Sequence, residues 1–295
     1  INRKIMTSQL KGTGVALITP FTADGQVDTK ALANIVNYVI DGGVEFIVVL
    51  GTTSEAPTLT KEEKKIVRST IIEANKGRLP LVLGIGSNNT QNVIDEIKTT
   101  DLTDFVAILS VTPYYNKPSQ NGLYAHFAAV ATESPLPIIL YNVPGRTGVS
   151  LTAETILRLA NDFENIVAVK EASGNLQLDM NIFKDMPANF TFFSGDDATT
   201  LPSVYMGGSG AISVIGIAYP KEFSEMVRLG LQGKTVEANK LHYALMPKMV
   251  AAFKEGNPTG IKAILAAKGL CQPYVRLPLV EASEALKEEI KRIEA

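Results

Sequence analysis

Residues 166–171 read Ile-Val-Ala-Val-Lys-Glu, so four apolar residues lead directly into a lysine and a glutamate. The four are apolar without alternation, which is typical of a parallel strand that is buried on both faces. Similar short runs recur at intervals of roughly 20–35 residues, which is the spacing of repeated βα units. They lie at 15–18, 46–50, 81–85, 105–109, 138–140, 190–193 and 211–214. The repetition predicts eight parallel strands.

The segments between the runs have the apolar spacing of helices. Residues 28–40 begin with an aspartate, a preferred capping residue, and residues 60–74 begin with Thr-Lys-Glu-Glu, a capping box. Residues 119–131, 152–160 and 197–206 show the same helical spacing. Eight such units in about 230 residues predict an α/β fold, a (β/α)8 TIM barrel. The alternative is an open doubly wound sheet, but no Gly-x-Gly-x-x-Gly follows the first strand.

A different pattern begins near residue 225, where the strand runs stop. Helices are predicted at 236–255, 259–268 and 284–294. We therefore expect a (β/α)8 catalytic barrel at 1–225 and a C-terminal helical extension at 226–295. Since no low-complexity linker separates the two, we expect the extension to pack on the barrel or to form subunit contacts.

Composition excludes several classes of protein. The 295 residues carry 28 Lys and Arg against 30 Asp and Glu, a formal net charge of −2, so we expect no nucleic acid and no anionic membrane as a partner. No apolar run approaches the roughly 18 residues that span a bilayer. A single cysteine and the lack of a signal-peptide pattern in residues 1–10 predict a cytoplasmic protein. The internal Met6 suggests that residues 1–5 lie upstream of the natural start.

The residue types for a metal centre are scarce. Catalytic zinc uses about three protein ligands, most often His or Cys. The chain contains only His126, His242 and Cys271, which are widely separated. Asp196-Asp197 fits either the start of a magnesium site or, preferably, an acidic cap before the next helix. We expect no metal.

Reactive groups in such barrels lie at the carboxyl ends of the strands. The residues that follow the apolar runs include a lysine, several tyrosines and two threonines, but no histidine. At pH 7 only about one in 2,500 ordinary lysine side chains is a neutral amine, which is the nucleophilic form. Removal from water favours this neutral form. Tyrosines at neighbouring strand ends can move the protons that imine formation requires. Lys170 is therefore a candidate nucleophile, although a structural ion pair with Glu171 or another acid at the barrel rim fits the residues equally well.

The other candidates also have an ordinary interpretation beside the functional one. Tyr115 and Tyr141 are suited to proton transfer, but tyrosines often pack with the hydroxyl merely hydrogen-bonded. Arg146 lies in a glycine-containing loop, where an arginine can bind a carboxylate in a bidentate manner or remain solvated.

Five motifs at the strand ends together resemble one family. They are Gly-Thr-Thr-Ser-Glu at 51–55, Thr-Pro-Tyr-Tyr-Asn-Lys-Pro at 112–118, Tyr-Asn-Val-Pro-Gly-Arg-Thr-Gly at 141–148, Val-Lys-Glu-Ala-Ser-Gly at 169–174 and Ser-Gly-Asp-Asp at 194–197. In this order they resemble the dihydrodipicolinate synthase (4-hydroxy-tetrahydrodipicolinate synthase) family. The resemblance runs from Gly14 to Asn-Pro at 257–258 and Arg-Leu-Pro-Leu at 276–279, which is nearly the whole chain.

The resemblance implies a lyase of the class I aldolase type, without cofactors, in lysine and diaminopimelate biosynthesis. It would condense pyruvate with L-aspartate 4-semialdehyde to 4-hydroxy-tetrahydrodipicolinate. Lys170 would form a Schiff base with pyruvate, and Tyr141 would donate and accept protons. Thr52 and Tyr115 would complete a proton relay, with Tyr115 reaching into the neighbouring subunit's site.

The same resemblance implies how the substrates are held and how the chains assemble. Thr53 would hold the pyruvate carboxylate, Ile212 and Gly195 would border the substrate, and Arg146 would bind the semialdehyde carboxylate. Family members are homo-oligomers, commonly tetramers built as dimers of dimers, with dimers also known.

Two other functions remain open on these residues. One is a sister activity on the same scaffold, N-acetylneuraminate lyase or a 2-keto-3-deoxy-sugar-acid aldolase, which generally lacks Arg146 and the 114–118 stretch. The other is a catalytically inactive ligand-binding barrel, which predicts loss of at least one reactive residue. All of them are present in this chain.

Two features of the family pattern bear on regulation and on strain. Ser54 stands where the family usually has glycine, and serine would be strained there if the backbone φ were positive. In lysine-sensitive relatives a second lysine binds at positions that match Ala56, Pro57, Lys61, Lys64, Asn88, Asn92 and Tyr114. Lys61 and Lys64 add positive charge there, which repels an ammonium by a few tenths to about 1 kcal/mol when exposed. We therefore expect weak or absent inhibition by lysine.

Overall fold

Eight parallel strands pair in chain order and close into a barrel in the computed structural model, which describes residues 10–295. Closure brings Gly12 on the first strand opposite Gly210 on the last. A Cβ atom at Gly210 would lie 1.8 Å from the Gly12 carbonyl oxygen, so this closure requires a glycine. The strands are β1 (Gly12–Ala16), β2 (Phe46–Val49), β3 (Leu81–Gly84), β4 (Ala107–Val111), β5 (Ile138–Asn142), β6 (Ile166–Glu171), β7 (Thr191–Ser194) and β8 (Gly210–Ser213). The predicted TIM barrel is confirmed, and the open sheet is wrong.

A helix follows each strand. These helices are α1 (Thr29–Asp41), α2 (Lys61–Asn75), α3 (Thr90–Thr99), α4 (Gln120–Glu133), α5 (Ala153–Asp162), α6 (Leu176–Asp185), α7 (Thr200–Met206) and α8 (Pro220–Leu231). Asp28 caps α1, and Thr60 forms the predicted capping box with Glu63. The sequence pattern did not predict α3, α6 or α8. For α6 the reason is that it buries only Asp179 and Ile182, so its apolar periodicity is weak.

Two apolar layers follow from the alternation of side chains along each strand. One fills the barrel interior and includes Phe46, Ala168, Phe193 and Ile212. The other lies between the strands and the surrounding helices and is larger. On β6 the side chains of Ala168 and Lys170 therefore face inward, whereas Glu171 faces the helix layer.

The C-terminal region consists of α9 (Thr235–Phe253), α10 (Thr259–Ala267) and α11 (Glu284–Glu294). It packs on the barrel, as expected, because Lys262 of α10 reaches Glu55 in the loop after β2 with 2.5 Å between Nζ and Oε1. Helix α8 spans residue 225, and the division into 1–225 and 226–295 stays a proposal. The expectation for residues 1–5 lies outside the described residues. Among residues 10–295, no helix is long and apolar enough to cross a membrane.

Candidate active site

Lys170 and Tyr141 lie side by side at the carboxyl end of the barrel. They are paired residues of the adjacent strands β6 and β5, and their side chains are 4% and 6% exposed. The Lys170 Nζ lies 4.2 Å from the centre of the Tyr141 ring. The structure thus buries an amine next to a phenol, which is the pair that imine chemistry requires.

Thr52 extends this pair toward the next loop. It begins a single 3-10 turn, Thr52–Ser54, directly after β2. Its Oγ1 lies 3.2 Å from the Tyr141 hydroxyl, and either oxygen can donate. Because each hydroxyl both donates and accepts, the two can pass a proton toward or away from Lys170.

Lys170 does not pair with Glu171. Within residues 10–295 it forms no ion pair, and Glu171 instead accepts from Asn142 Nδ2 at 2.9 Å and from the Ser173 hydroxyl at 2.8 Å. Burial, with the charge of the neighbouring Asp179, raises the pKa of Glu171 to about 7. The ion-pair interpretation of Lys170 is therefore wrong, because its side chain has no carboxylate partner within the described residues.

Gly195 makes room for the lysine. A Cβ atom at this position would lie 2.8 Å from Lys170 Cε and 2.6 Å from Ala172 Cβ, both too close for van der Waals contact. Its backbone N–H also donates to the Glu171 carbonyl at 2.6 Å. Ile212 lies on β8 and is fully buried in the barrel interior. Because Gly195 has no side chain, it leaves space for the aliphatic part of the Lys170 side chain.

Thr53 and Arg146 come together through a residue that the sequence pattern did not single out. Asn257 Nδ2 donates to Thr53 Oγ1 at 3.0 Å, and Arg146 Nη2 donates to the Asn257 backbone carbonyl at 3.1 Å. Thr53 is 1% exposed, whereas Arg146 is exposed. The only signal in the sequence was the Asn257-Pro258 pair, which contributes to the family resemblance but did not indicate a site.

Tyr115 stands apart from this cluster. Its side chain is 88% exposed and its backbone φ is 72°, in the left-handed region. Its backbone N–H donates to the Thr147 carbonyl at 3.4 Å. The single chain therefore brings together Lys170, Tyr141 and Thr52 but leaves the Tyr115 side chain exposed to solvent.

A cavity of about 210 Å³ opens beside the cluster. Its wall includes Thr52, Tyr141 and Arg146, together with Lys64 and Glu96. Lys64 Nζ lies 3.8 Å from a Glu96 carboxylate oxygen. The positive charge of Lys64, which was expected from the sequence, therefore lies close to the Glu96 carboxylate. The sequence pattern did not indicate this pairing.

The adjacent acids Asp196 and Asp197 are both used inside the protein. Asp196 accepts from the backbone N–H and the hydroxyl of Thr199, just before α7. Asp197 is buried, which raises its pKa to about 6, and it accepts from the Ser213 hydroxyl at 2.6 Å. No group of three or more His, Cys, Asp or Glu side chains in residues 10–295 is placed to hold a metal ion. The predicted acidic cap is wrong, because the N-cap residue of α7, Thr199, makes no side-chain capping hydrogen bond and Asp197 binds the segment after β8 instead.

Ser54 is not strained. The positive φ angles of this loop fall on Leu50 and Glu55, and the Ser54 hydroxyl donates to the Gly51 carbonyl at 2.7 Å. Serine in place of the usual glycine therefore adds a hydrogen bond within the turn.

Fold and site define a TIM-barrel protein with a buried lysine at the end of the sixth strand, next to a tyrosine, with two threonines and an arginine nearby. The sequence profile of the dihydrodipicolinate synthetase family matches residues 9–294, and the chain belongs to this family.

Individual relatives agree with this assignment. The 4-hydroxy-tetrahydrodipicolinate synthase of Flavobacterium psychrophilum is 57% identical over 95% of each chain. A structure of the chloride-inhibited dihydrodipicolinate synthase of Acinetobacter baumannii complexed with pyruvate has a TM-score of 0.93 and 38% identity, covering 96% of this chain and 97% of that one. The enzyme of Cyanidioschyzon merolae, with lysine bound, has a TM-score of 0.91 and 37% identity over 96% of each chain. Of the three functions considered, these relatives favour the synthase.

Proposed function

We propose that this chain condenses pyruvate with L-aspartate 4-semialdehyde, through a Schiff base on Lys170, to give 4-hydroxy-tetrahydrodipicolinate. The observation that carries this proposal is the buried amine of Lys170, 4.2 Å from the ring of Tyr141, whose hydroxyl lies 3.2 Å from that of Thr52. Family membership supplies the substrates. The activity is that of a lyase, and it serves lysine and diaminopimelate biosynthesis.

The reaction follows from the chemistry of an amine in such a place. The Lys170 amine attacks the keto carbon of pyruvate, and loss of water leaves an imine. Loss of a methyl proton gives an enamine, whose carbon attacks the aldehyde of the semialdehyde. The semialdehyde's own amine then attacks the imine carbon, which closes the ring and releases Lys170. Tyr141 donates and accepts the protons, and Thr52 passes them on toward a Tyr115 hydroxyl.

The binding roles fit the positions of the remaining groups. The Thr53 hydroxyl holds the pyruvate carboxylate, with Ile212 and Gly195 at its border. The Arg146 guanidinium, exposed at the cavity mouth, binds the carboxylate of the semialdehyde in a bidentate manner. No metal and no organic cofactor takes part.

Assembly and regulation complete the proposal. The exposed Tyr115 supports a homo-oligomer in which this residue serves the neighbouring subunit, as a tetramer built from dimers or as a dimer. We place the enzyme in the cytoplasm. We expect weak or absent inhibition by lysine, because the exposed Lys61 adds positive charge where lysine-sensitive relatives bind an ammonium, although Glu96 offsets part of the charge of Lys64.

Turnover by the purified protein tests the function. Wild-type protein should consume pyruvate only when the semialdehyde is added, and borohydride should trap a pyruvate adduct. Lys170→Ala should lose both, whereas Lys30→Ala, which removes an exposed lysine, should keep both. Arg146→Ala should raise the KM for the semialdehyde while pyruvate is still trapped. Trapping that persists in Lys170→Ala would reassign the nucleophile.

A further inference from the structure

Asn257 lies two residues before α10, where it meets the loop after β2 and the short helix Pro144–Thr147 after β5. Its side-chain amide donates to Thr53 and its backbone carbonyl accepts from Arg146. The residue is only 6% exposed. One residue from the C-terminal region thus contacts both groups to which the proposed function assigns a substrate carboxylate.

The two contacts differ in kind. Thr53 is held by the side chain of Asn257, with 3.0 Å between Nδ2 and Oγ1. Arg146 is held by the backbone, with 3.1 Å between Nη2 and the carbonyl oxygen. A substitution at position 257 therefore removes the hydrogen bond to Thr53. It leaves in place the backbone carbonyl that accepts from Arg146.

The direction of the first hydrogen bond sets what Thr53 can do. An amide nitrogen only donates, so Thr53 Oγ1 is the acceptor, and its own O–H is left to donate elsewhere. A donor is what a carboxylate requires. If an acceptor replaced the amide nitrogen, the hydroxyl would turn toward it and would be lost to the substrate.

Asn257 is firmly placed for this task. Lys262, five residues further along, is fully buried and contacts Glu55, two residues after Thr53. The other Glu55 oxygen accepts from the Arg276 backbone N–H at 2.9 Å. Within residues 10–295 the hydrogen bond to Thr53 is the only one that the Asn257 side chain makes, because its Oδ1 has no partner.

We propose that Asn257 is a positioning residue for pyruvate: its amide holds the Thr53 hydroxyl as a donor to the carboxylate of the 2-oxo acid. The proposal rests on the proposed function, which assigns pyruvate to Thr53 and the semialdehyde to Arg146. Its consequence is selective, because the side chain at 257 controls pyruvate binding while the backbone at 257 serves the other substrate.

Asn257→Asp keeps the shape and replaces the donor by an acceptor, but it also adds a negative charge. Asn257→Ala, which removes the donor without adding a charge, is therefore measured beside it and should raise the same KM. The loss of one hydrogen bond to a charged group predicts an increase of about 10- to 100-fold in the KM for pyruvate. The pyruvate concentration for half-maximal borohydride trapping should rise by the same factor. The KM for the semialdehyde should stay within about twofold, because Arg146 keeps its carbonyl partner. An equal rise for both substrates would mean a merely structural role and would overturn the proposal.

A double-mutant cycle shows whether Asn257 acts through Thr53. Thr53→Val removes the hydroxyl, so adding Asn257→Asp to it should change trapping by no more than about twofold. Thr53→Ser keeps the hydroxyl and should restore sensitivity to Asn257→Asp. If the effects of the two substitutions on pyruvate trapping multiply in the double variant, the proposal is overturned. Asn257→Ala enters the same cycle if the aspartate variant does not fold.

Asn75→Asp is the matched control. Asn75 is a buried asparagine whose amide donates to the Leu79 carbonyl at 2.8 Å, at the opposite end of the barrel, and this variant should leave the KM for pyruvate unchanged. Trapping needs pyruvate alone, so it decides the role of Asn257 even if the semialdehyde is not the second substrate. A wild-type chain that is not trapped by pyruvate would overturn both proposals.

Discussion

Lys170 and Glu171 are neighbours in the chain but belong to opposite sides of the barrel wall. Side chains alternate along β6, so Lys170 faces the site and Glu171 faces the helices. Both are almost fully buried, at 4% and 2% exposed. The outer residue connects β5 and β6, because Glu171 accepts from Asn142, the residue after Tyr141. Glu171 therefore links β5 to β6 through a carboxyl group whose charged form is disfavoured by burial.

Glu171 should make stability depend on pH. Burial raises its pKa to about 7 from the ordinary 4.5, so between these values the folded chain keeps a proton that the unfolded chain has released. The stabilisation that the Glu171 proton adds to the free energy of unfolding is fully present below pH 4.5. It is lost as the pH rises through 7. From pH 5.5 to 8.5 the loss is about 2 kcal/mol. Glu171→Gln cannot ionise and should lack this loss, which urea unfolding at the two pH values will measure.

The comparison between wild type and variant isolates the pair of Glu171 and Asp179, because these two buried carboxyl groups interact directly. Asp179, which faces it from α6, and Asp196, which acts on Asp179, stay in place in both chains. His126 and Asp197 also titrate in the folded protein, but they do so equally in both. The same pH dependence in wild type and Glu171→Gln would show that another group causes it.

At the residue level, the sequence pattern identified the side chains that come directly after a strand. Lys170, Tyr141 and Thr52 were predicted because each lies at the end of an apolar run, and parallel strands end at one rim. Asn257 was not predicted as a site residue, because it is 204 residues from Thr53 and no sequence periodicity connects the two. Glu171 was seen as a partner of Lys170, because the pattern does not show to which face a charged residue at a strand end points.

Among the elements, α10 and the loop after β2 are joined by a buried ion pair. Lys262 is fully buried, Glu55 is 3% exposed, and the Lys262 ammonium also donates to the Tyr274 carbonyl at 2.8 Å. Glu55 has a left-handed φ of 57°, so the loop makes a sharp turn where the ion pair holds it. This contact keeps the Thr52–Ser54 turn in register with the C-terminal region.

Removing one partner of this pair should be costly. Lys262→Met leaves a buried carboxylate without its cation and is expected to lower the free energy of unfolding by about 3–5 kcal/mol. The double variant Glu55→Gln/Lys262→Met should recover part of this loss, because no charge is then left alone. Urea unfolding of the three chains measures both effects. Lys98→Met, which breaks an exposed pair with Glu133, is the control and should cost about 1 kcal/mol or less. An equally small effect for Lys262→Met would contradict the argument.

The elements themselves were predicted to different degrees. All eight strands were found, since buried parallel strands are short apolar runs. Their limits moved by a few residues, as for β1, which lies at Gly12–Ala16 rather than at 15–18. Glycines within that strand have no side chain to add to the apolar signal. Helices with a narrow buried stripe, such as α6, were missed because their apolar signal is also weak.

For the whole molecule, closing the barrel gathers one site from distant parts of the chain. Thr52 comes from the loop after β2, Tyr141 from β5, Lys170 from β6 and Asn257 from the start of α10. Each segment is short and its position depends on the ring of strands, so the site forms only in the complete fold. Tyr115 is the exception, because its side chain is 88% exposed to solvent. The single chain is therefore missing one member of the proposed relay.

Complementation between two inactive variants tests whether a second copy supplies that member. Lys170→Ala lacks the nucleophile but keeps Tyr115, and Tyr115→Phe has the opposite defect. If Tyr115 serves the neighbouring subunit, a mixed dimer has one complete site. Half of the dimers are mixed at equal expression of the two chains, so co-expression should restore about a quarter of the wild-type activity. Lys170→Ala with Tyr141→Phe is the control, because these two residues are adjacent within one barrel and no mixed dimer has both. Activity no higher than that control would place the Tyr115 hydroxyl in its own subunit.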